Sequence, residues 1–244
     1  MINTAIMPMR CLLLLLFLAM TAPAFAQGGN VFGPTVREGE RGWEWRAMAE
    51  LDDHSDISGS TRLHYQQAFN EAVRLRGLVQ FAADPGESLS PQFARAELLW
   101  QYREETAGGY QAAFRFDARL SADGAHRLGV SWVHQRDFAG YWRVRAILTG
   151  DHEVGAGAAD GVRISYRSRL SRRLHERLEA GIEAFGRVGN LADGLPGFDA
   201  QRHTIGPAVF GPINERWRWH VTSQFAISNA ASDVPVRFRL YRRF

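Results

Sequence analysis

From residue 42 to the last residue, apolar and polar side chains take turns. "WEWRAMAEL" sets Trp43, Trp45, Ala47, Ala49 and Leu51 against Glu44, Arg46, Met48 and Glu50. "RLHYQQAF" sets Leu63, Tyr65 and Phe69 against Arg62, His64 and Gln66. "YQAAFRFDARL" sets Tyr110, Ala112, Phe114, Phe116, Ala118 and Leu120 against Gln111, Arg115, Asp117 and Arg119. The pattern recurs in "VRISYRSRL" and "RWRWHVTSQFAI", and in the closing "VPVRFRLYRRF", where Val236, Phe238 and Leu240 oppose Arg237 and Arg239. Side chains alternate across a strand, so a two-residue period predicts strands with one apolar and one wet face. Helical periodicity is hard to find. About twelve strands are predicted, over 42–53, 61–69, 73–83, 93–104, 109–120, 126–135, 141–149, 162–170, 176–188, 201–211, 217–227 and 234–244.

The connections alternate in length. "HSDISGS" precedes a tight turn at "NEA", "DPGESLSPQ" precedes "TAGG", "GDHEVGAGAADG" precedes "SRRLH", and "NLADGLPGFDA" precedes "PINER". The exception is a short "SADGA" after the fifth strand. Long and short connections in alternation are what an up-and-down membrane barrel shows; a soluble sandwich has no reason for them. In lipid a sheet can span only if it closes, because every backbone N–H and C=O needs an internal partner. The predicted fold is therefore all-β: a single up-and-down antiparallel transmembrane barrel of about twelve strands, closed by the C-terminal strand. A last strand running to the terminal residue is then one stave of a cylinder.

The front of the chain adds an address. Arg10, the apolar "CLLLLLFLAM", and small residues at Ala24 and Ala26 read as a secretory signal peptide over 1–26. The apolar run is too short for a membrane anchor. Residues 27–244 then form one barrel domain without cysteine, since Cys11 lies within the signal. All the basic residues are arginine, and without Arg10 about 28 remain against 26 Asp and Glu. That near balance gives no argument for nucleic acid.

The C-terminus resembles the assembly signal of Gram-negative outer-membrane β-barrel proteins, which end in Phe preceded by apolar residues at alternate positions. Phe244, Leu240, Phe238 and Val236 fit, whereas Arg242 stands where an aromatic or apolar residue is expected, with Tyr241 beside it. The resemblance implies an outer-membrane location, outer-membrane lipids and lipopolysaccharide as surroundings, and handling by the barrel-assembly machinery. With the N-terminus on the periplasmic side, Trp43, Trp45, Trp100, Trp132, Trp142, Trp217 and Trp219 all fall toward the periplasmic rim. Indole rings prefer the membrane–water boundary, so these seven are the expected aromatic girdle.

The inward face carries the chemistry. Alternation assigns to it Arg46, Arg62, Arg74, Arg76, Arg95, Arg115, Arg119, Arg143, Arg145, Arg163, Arg167, Arg169, Arg218, Arg237 and Arg239. The inward acids are fewer: Glu44, Glu50, Glu97, Asp117, Glu179 and Glu183. A guanidinium facing lipid at mid-membrane costs about 2–4 kcal/mol, so this face must meet water or carboxylates. Surplus arginine suits a narrow channel favouring small anionic solutes; such small barrels look like porins for acidic oligosaccharides, an analogy of architecture. The alternative is a non-conducting structural or surface-interaction barrel whose arginines and acids pair across the lumen. A third reading is an outer-membrane lipid hydrolase using His64, His134, His203 or His220 with Ser131 or Ser165, although no recognisable signature surrounds them. The acidic, glycine-rich connections do not match a calcium loop, "GNLADG" lacks the end of a phosphate loop, and no zinc ligand set is evident. No catalytic residue, cofactor or metal is assigned.

Overall fold

The computed structural model describes residues 30–51, 57–106 and 108–244. The signal peptide expected over 1–26, with Cys11, lies outside them, as do most of the first connection and the side chain of Glu50. Twelve strands follow one another: β1 Arg41–Leu51, β2 Ile57–Ala68, β3 Val73–Ala83, β4 Ser90–Arg103, β5 Tyr110–Ser121 and β6 His126–Phe138. The second half holds β7 Trp142–Val154, β8 Arg163–His175, β9 Leu178–Asn190, β10 Arg202–Pro212, β11 Trp217–Ala226 and β12 Val234–Arg243. Each pairs antiparallel with its sequence neighbours, and β12 returns to β1 from Gly42↔Arg243 to Ala49↔Val236. Closure leaves no sheet edge to be satisfied by lipid.

The alternation decides which side chain meets which medium. Leu63, Leu75, Val79, Phe116, Val130, Leu148, Ile182, Val221 and Val236 stand exposed on the outer face. Between them, Glu44, Arg46, Arg62, Gln80, Glu97, Arg115, Arg169, Glu183, Thr222 and Arg237 are buried inside. Tyr166 lies outward across the opposing Gly186, where a Cβ would come within 2.0 Å of its ring. Only a glycine lets the ring lie flat on the β8–β9 seam.

Two connections differ from the sequence expectation. β7 runs on to Val154 and takes in "DHEV", and β8 runs on to His175, so "SRRLH" is strand and the turn is only 176–177. The apolar period fades there because these ends project past the hydrocarbon band, where both faces are polar; Arg172 lies over the Trp142 ring at 5.5 Å instead of over lipid. β2 likewise begins at Ile57. The connections at the end where β1 starts are 69–72, 104–109, 139–141, 176–177 and 213–216; the opposite end carries 84–89, 122–125, 155–162, 191–201 and 227–233. The longest, 191–201, holds two single turns of 3-10 helix, Leu191–Asp193 and Phe198–Ala200.

An arginine on the outer face should therefore be far costlier than one inside. Leu148→Arg, in mid-β7, is expected to lose about 2–4 kcal/mol when folding into phosphatidylcholine vesicles is followed by urea titration. A change below about 0.5 kcal/mol, typical of neutral surface sites, would show that this face does not meet hydrocarbon.

Candidate functional site

The half of the lumen nearer the end where β1 starts is filled by the segment that precedes β1. Residues 30–36, "NVFGPTV", are not part of the sheet, yet Val31, Phe32, Pro34 and Val36 are buried. Their neighbours are inward residues that break the polar pattern: Leu99, Ala113, Val133 and Ile147, with Ala68. Fully burying a Val or Phe side chain is worth about 1.5–3 kcal/mol, so these contacts are enough to hold the segment in a polar interior. Pro34 has no N–H to satisfy, which suits a site without a ladder partner. Polar side chains hold what remains. Val36 N–H donates to Gln101 Oε1 at 2.6 Å, Thr35 Oγ1 lies 2.6 Å from Gln111 Oε1, and Arg169 donates to Asn30 Oδ1 at 3.3 Å. A turn at 37–40 then leads into β1, where Tyr241 donates to Glu40 at 2.7 Å.

Around this plug stand buried ionic clusters. Glu97 accepts from Arg76 Nε at 2.6 Å and pairs with Arg95 at 2.8 Å and Arg115 at 3.5 Å. Arg115 also reaches Asp117 at 2.7 Å and donates to Ser131 at 2.8 Å. Glu44 takes Arg46, with Arg239 at 3.5 Å, and Glu183 accepts from Arg169 Nε at 2.6 Å with His220 at 3.3 Å. Glu97 thus serves three arginines and Glu44 two, while Glu183 pairs with one arginine and has the His220 imidazole beside it, partners that burial requires. The guanidinium carbons of Arg76 and Arg115 lie 5.6 and 5.0 Å from the centroid of the Phe32 ring, where a cation meets the negative face of an aromatic.

Above the plug, toward the end with the longer connections, a cavity of about 560 Å³ opens. Its lining includes twelve arginines and two aspartates, with Asn30 and Phe32 as part of the floor. Several arginines are direct cross-strand neighbours: Arg119 faces both Arg95 and Arg127, Arg46 faces Arg62, and Arg187 faces Arg202. Like charges directly opposite are destabilising. Near the rim, Arg127 and Arg163 share Asp151 and Glu153, with Arg163 to Glu153 at 2.7 Å. Among the described residues, Arg119, Arg145, Arg167 and Arg187 have no carboxylate partner. Arg119 instead covers the Phe93 ring at 4.1 Å.

The inward residues expected from the sequence sort by height. Arg46, Arg62, Arg95, Arg115, Arg119, Arg163, Arg167, Arg237 and Asp117 border the cavity, as do Arg76, Arg127, Arg187 and Arg202. Arg145 and Glu97 sit beside the plug, Arg145 donating to Gln135 at 2.7 Å close to Gly33. Arg143 is clamped to Asp137 by two bonds of 2.7 and 2.6 Å, and Arg218 is 3.7 Å from Glu179, both near the short-turn end. Six of the seven tryptophans fall in the half of their strand nearer that end. Trp132 is corrected to the midpoint of β6, because the strand runs to Phe138; its indole donates to Tyr102 at 2.9 Å. Phe238 and Leu240 face outward on β12 and Phe244 ends the chain, its ring 5.0 Å from the Arg242 guanidinium carbon; Phe244 N–H closes onto Arg41 O at 2.9 Å.

The hydrolase candidates do not assemble. Ser131 is bonded to Arg115 and to Thr149 at 2.8 Å, and His220 belongs to Glu183. His134 and His203 occupy the outer face instead of the lumen, bonded to Tyr110 at 2.7 Å and Tyr166 at 3.0 Å. The sequence reading gave residues 30–36 no role. The signal that could have found them is an apolar "NVFGPTV" next to the first strand, matched by inward Leu99, Val133 and Ile147 where polar residues are due.

No protein-family model and no curated protein sequence matches the chain. Solved structures do match its fold. The KdgM porin, in complex with disordered oligogalacturonate, superposes with a TM-score of 0.61 at 10% identity, covering 83% of this chain and 99% of that one. The COG4313 outer membrane channel from Pseudomonas putida F1 superposes with a TM-score of 0.65 at 11% identity, over 90% of this chain and 100% of that one. At such identities the likeness is one of fold: a small, porin-like twelve-stranded barrel of the outer-membrane kind.

The ionic clusters predict an asymmetric response to charge removal. Glu97→Gln leaves the buried Arg76 and Arg95 without a carboxylate and Arg115 with Asp117 alone, and should cost about 3–5 kcal/mol in urea-unfolding midpoint analysis. Glu153→Gln at the rim, where Asp151 remains to both arginines, should cost about 1 kcal/mol or less. Equal losses at the two sites would contradict the assignment of Glu97 as the buried hub.

Proposed function

We propose that the chain is an outer-membrane channel, reached by export through a signal peptide and folded by the barrel-assembly machinery, whose arginine-lined interior favours small anionic solutes. The observation that carries the reading is the cavity with twelve arginines and two aspartates. Guanidinium groups set side by side across strands repel one another, and an anion that bridges them relieves that repulsion. In a narrow lumen of low dielectric walls the field is focused, so anions are concentrated and cations excluded. The fold neighbour in complex with disordered oligogalacturonate, a chain of carboxylates, supports the same class of solute.

A second reading rests on the plug. The cavity ends on Phe32 in this structure, which fits a barrel that binds anions at the surface without passing them. Reversal potentials separate the two. In planar bilayers under a potassium chloride gradient, the full chain should give openings whose reversal potential shifts to the chloride side. The triple variant Arg119→Gln, Arg167→Gln, Arg187→Gln changes only arginines without a carboxylate partner and should lower the anion-to-cation permeability ratio several-fold. Cation-selective openings, or a ratio unmoved by the triple variant, would overturn the anion channel; complete silence even of a chain lacking residues 30–36 would leave the surface-binding reading.

A further inference from the structure

We propose that residues 30–36 are a displaceable stopper, and that a polyanion entering the cavity unseats them by competing for the guanidiniums that hold Phe32. The coupling half of this inference rests on the anion reading above; the stopper half does not.

The closure is local. On one side of Phe32 lies the 560 Å³ cavity, and on the other a void of about 10 Å³ shared by Phe32, Arg74, Arg76, Glu97, Leu99 and Arg115. A void of that size holds about one water, so Phe32 leaves no room for a solute at that point. The segment can leave without opening the barrel. Among the described residues, no backbone–backbone hydrogen bond joins 30–36 to a strand. Its polar anchors are side-chain bonds, from Gln101, Gln111, Arg74 and Arg169. The β1–β12 and β1–β2 ladders begin at Gly42 and Arg41, after the 37–40 turn, and are untouched by its departure.

The seat and the solute use the same groups. Arg76 and Arg115 border the cavity and at the same time lie on the Phe32 ring. A carboxylate or phosphate binds guanidinium by paired, charge-assisted hydrogen bonds, which are stronger than a ring face can offer. Arg76 and Arg115 already give part of their fork to Glu97 and Asp117, and an anion drawn to the cavity floor that takes their remaining N–H groups pulls these guanidiniums off the Phe32 ring. A ligand shifts such an equilibrium only by binding the two states differently, and here the plugged state fixes Arg76 and Arg115 against the Phe32 ring as well as against Glu97.

The test uses two measurements. First, unit conductance in symmetric potassium chloride is compared for the full chain and a chain lacking residues 30–36, each shown to be folded by its heat-dependent gel mobility. The deletion should raise conductance several-fold whatever ion it prefers. Second, Val31→Cys is made in the full chain, where Cys11 is the sole other cysteine and precedes the expected cleavage site. Val31 is fully buried, so a membrane-impermeant maleimide should label it slowly. Oligogalacturonate should speed that labelling, and a neutral maltooligosaccharide of equal length should not. Equal conductance of the two chains, or labelling indifferent to the polyanion, overturns the proposal. A deletion that conducts widely but prefers cations keeps the stopper and removes the anion channel, so the two failures are told apart.

Discussion

Backbone hydrogen bonding in a medium without water is the constraint from which this molecule follows. A strand in hydrocarbon must pair on both sides, and twelve of them satisfy this only as a cylinder, with β12 laid against β1. Once the cylinder exists, every side chain has one of two addresses. Leucine, valine and aromatics can face out; arginine cannot. The chain has no lysine, and its arginines are stacked where water and carboxylates can reach them. The planar fork of arginine suits this: Glu97 and Glu44 each hold more than one guanidinium, and Glu183 holds Arg169.

The interior then divides into levels with different balances. Beside the plug, Glu97, Glu44 and Glu183 each hold arginine, as burial demands, while Arg145 is held by Gln135 instead. Above it, arginine outnumbers acid, and like charges face one another across β4, β5 and β6. The first level stabilises; the second is held in place by it. An excess of cations facing an open cavity is tolerable because water reaches it, and useful because the cavity then has something to offer an anion.

How much of this could be read from the sequence depends on how local the cause is. Strand placement was legible because the two-residue period is written residue by residue, as in β5, where Phe114 and Phe116 oppose Arg115 and Asp117. The far ends of β7 and β8 were not, because beyond the apolar band Arg172 and Arg173 are polar on both faces and no period remains. The plug was invisible for a different reason. Val31 and Phe32 meet Leu99, Val133 and Ile147 across the lumen, and only the closed barrel brings those strands around one point. Pairing inside the lumen is of the same kind: Arg169 and Glu183 are adjacent through the β8–β9 register, whereas the lack of a carboxylate at Arg167 follows from the whole inner surface.

The account stands on the claim that one face of each strand meets lipid and the other the lumen. Spin labels placed singly at 113–120 along β5, in vesicles, measure this directly, with collision rates against oxygen, which enriches in hydrocarbon, and a water-soluble nickel chelate. The cylinder predicts that oxygen access at 114, 116 and 118 is high while at 113, 115, 117 and 119 it is low, in strict alternation. A profile with no two-residue period, or one with a period near 3.6, would contradict it.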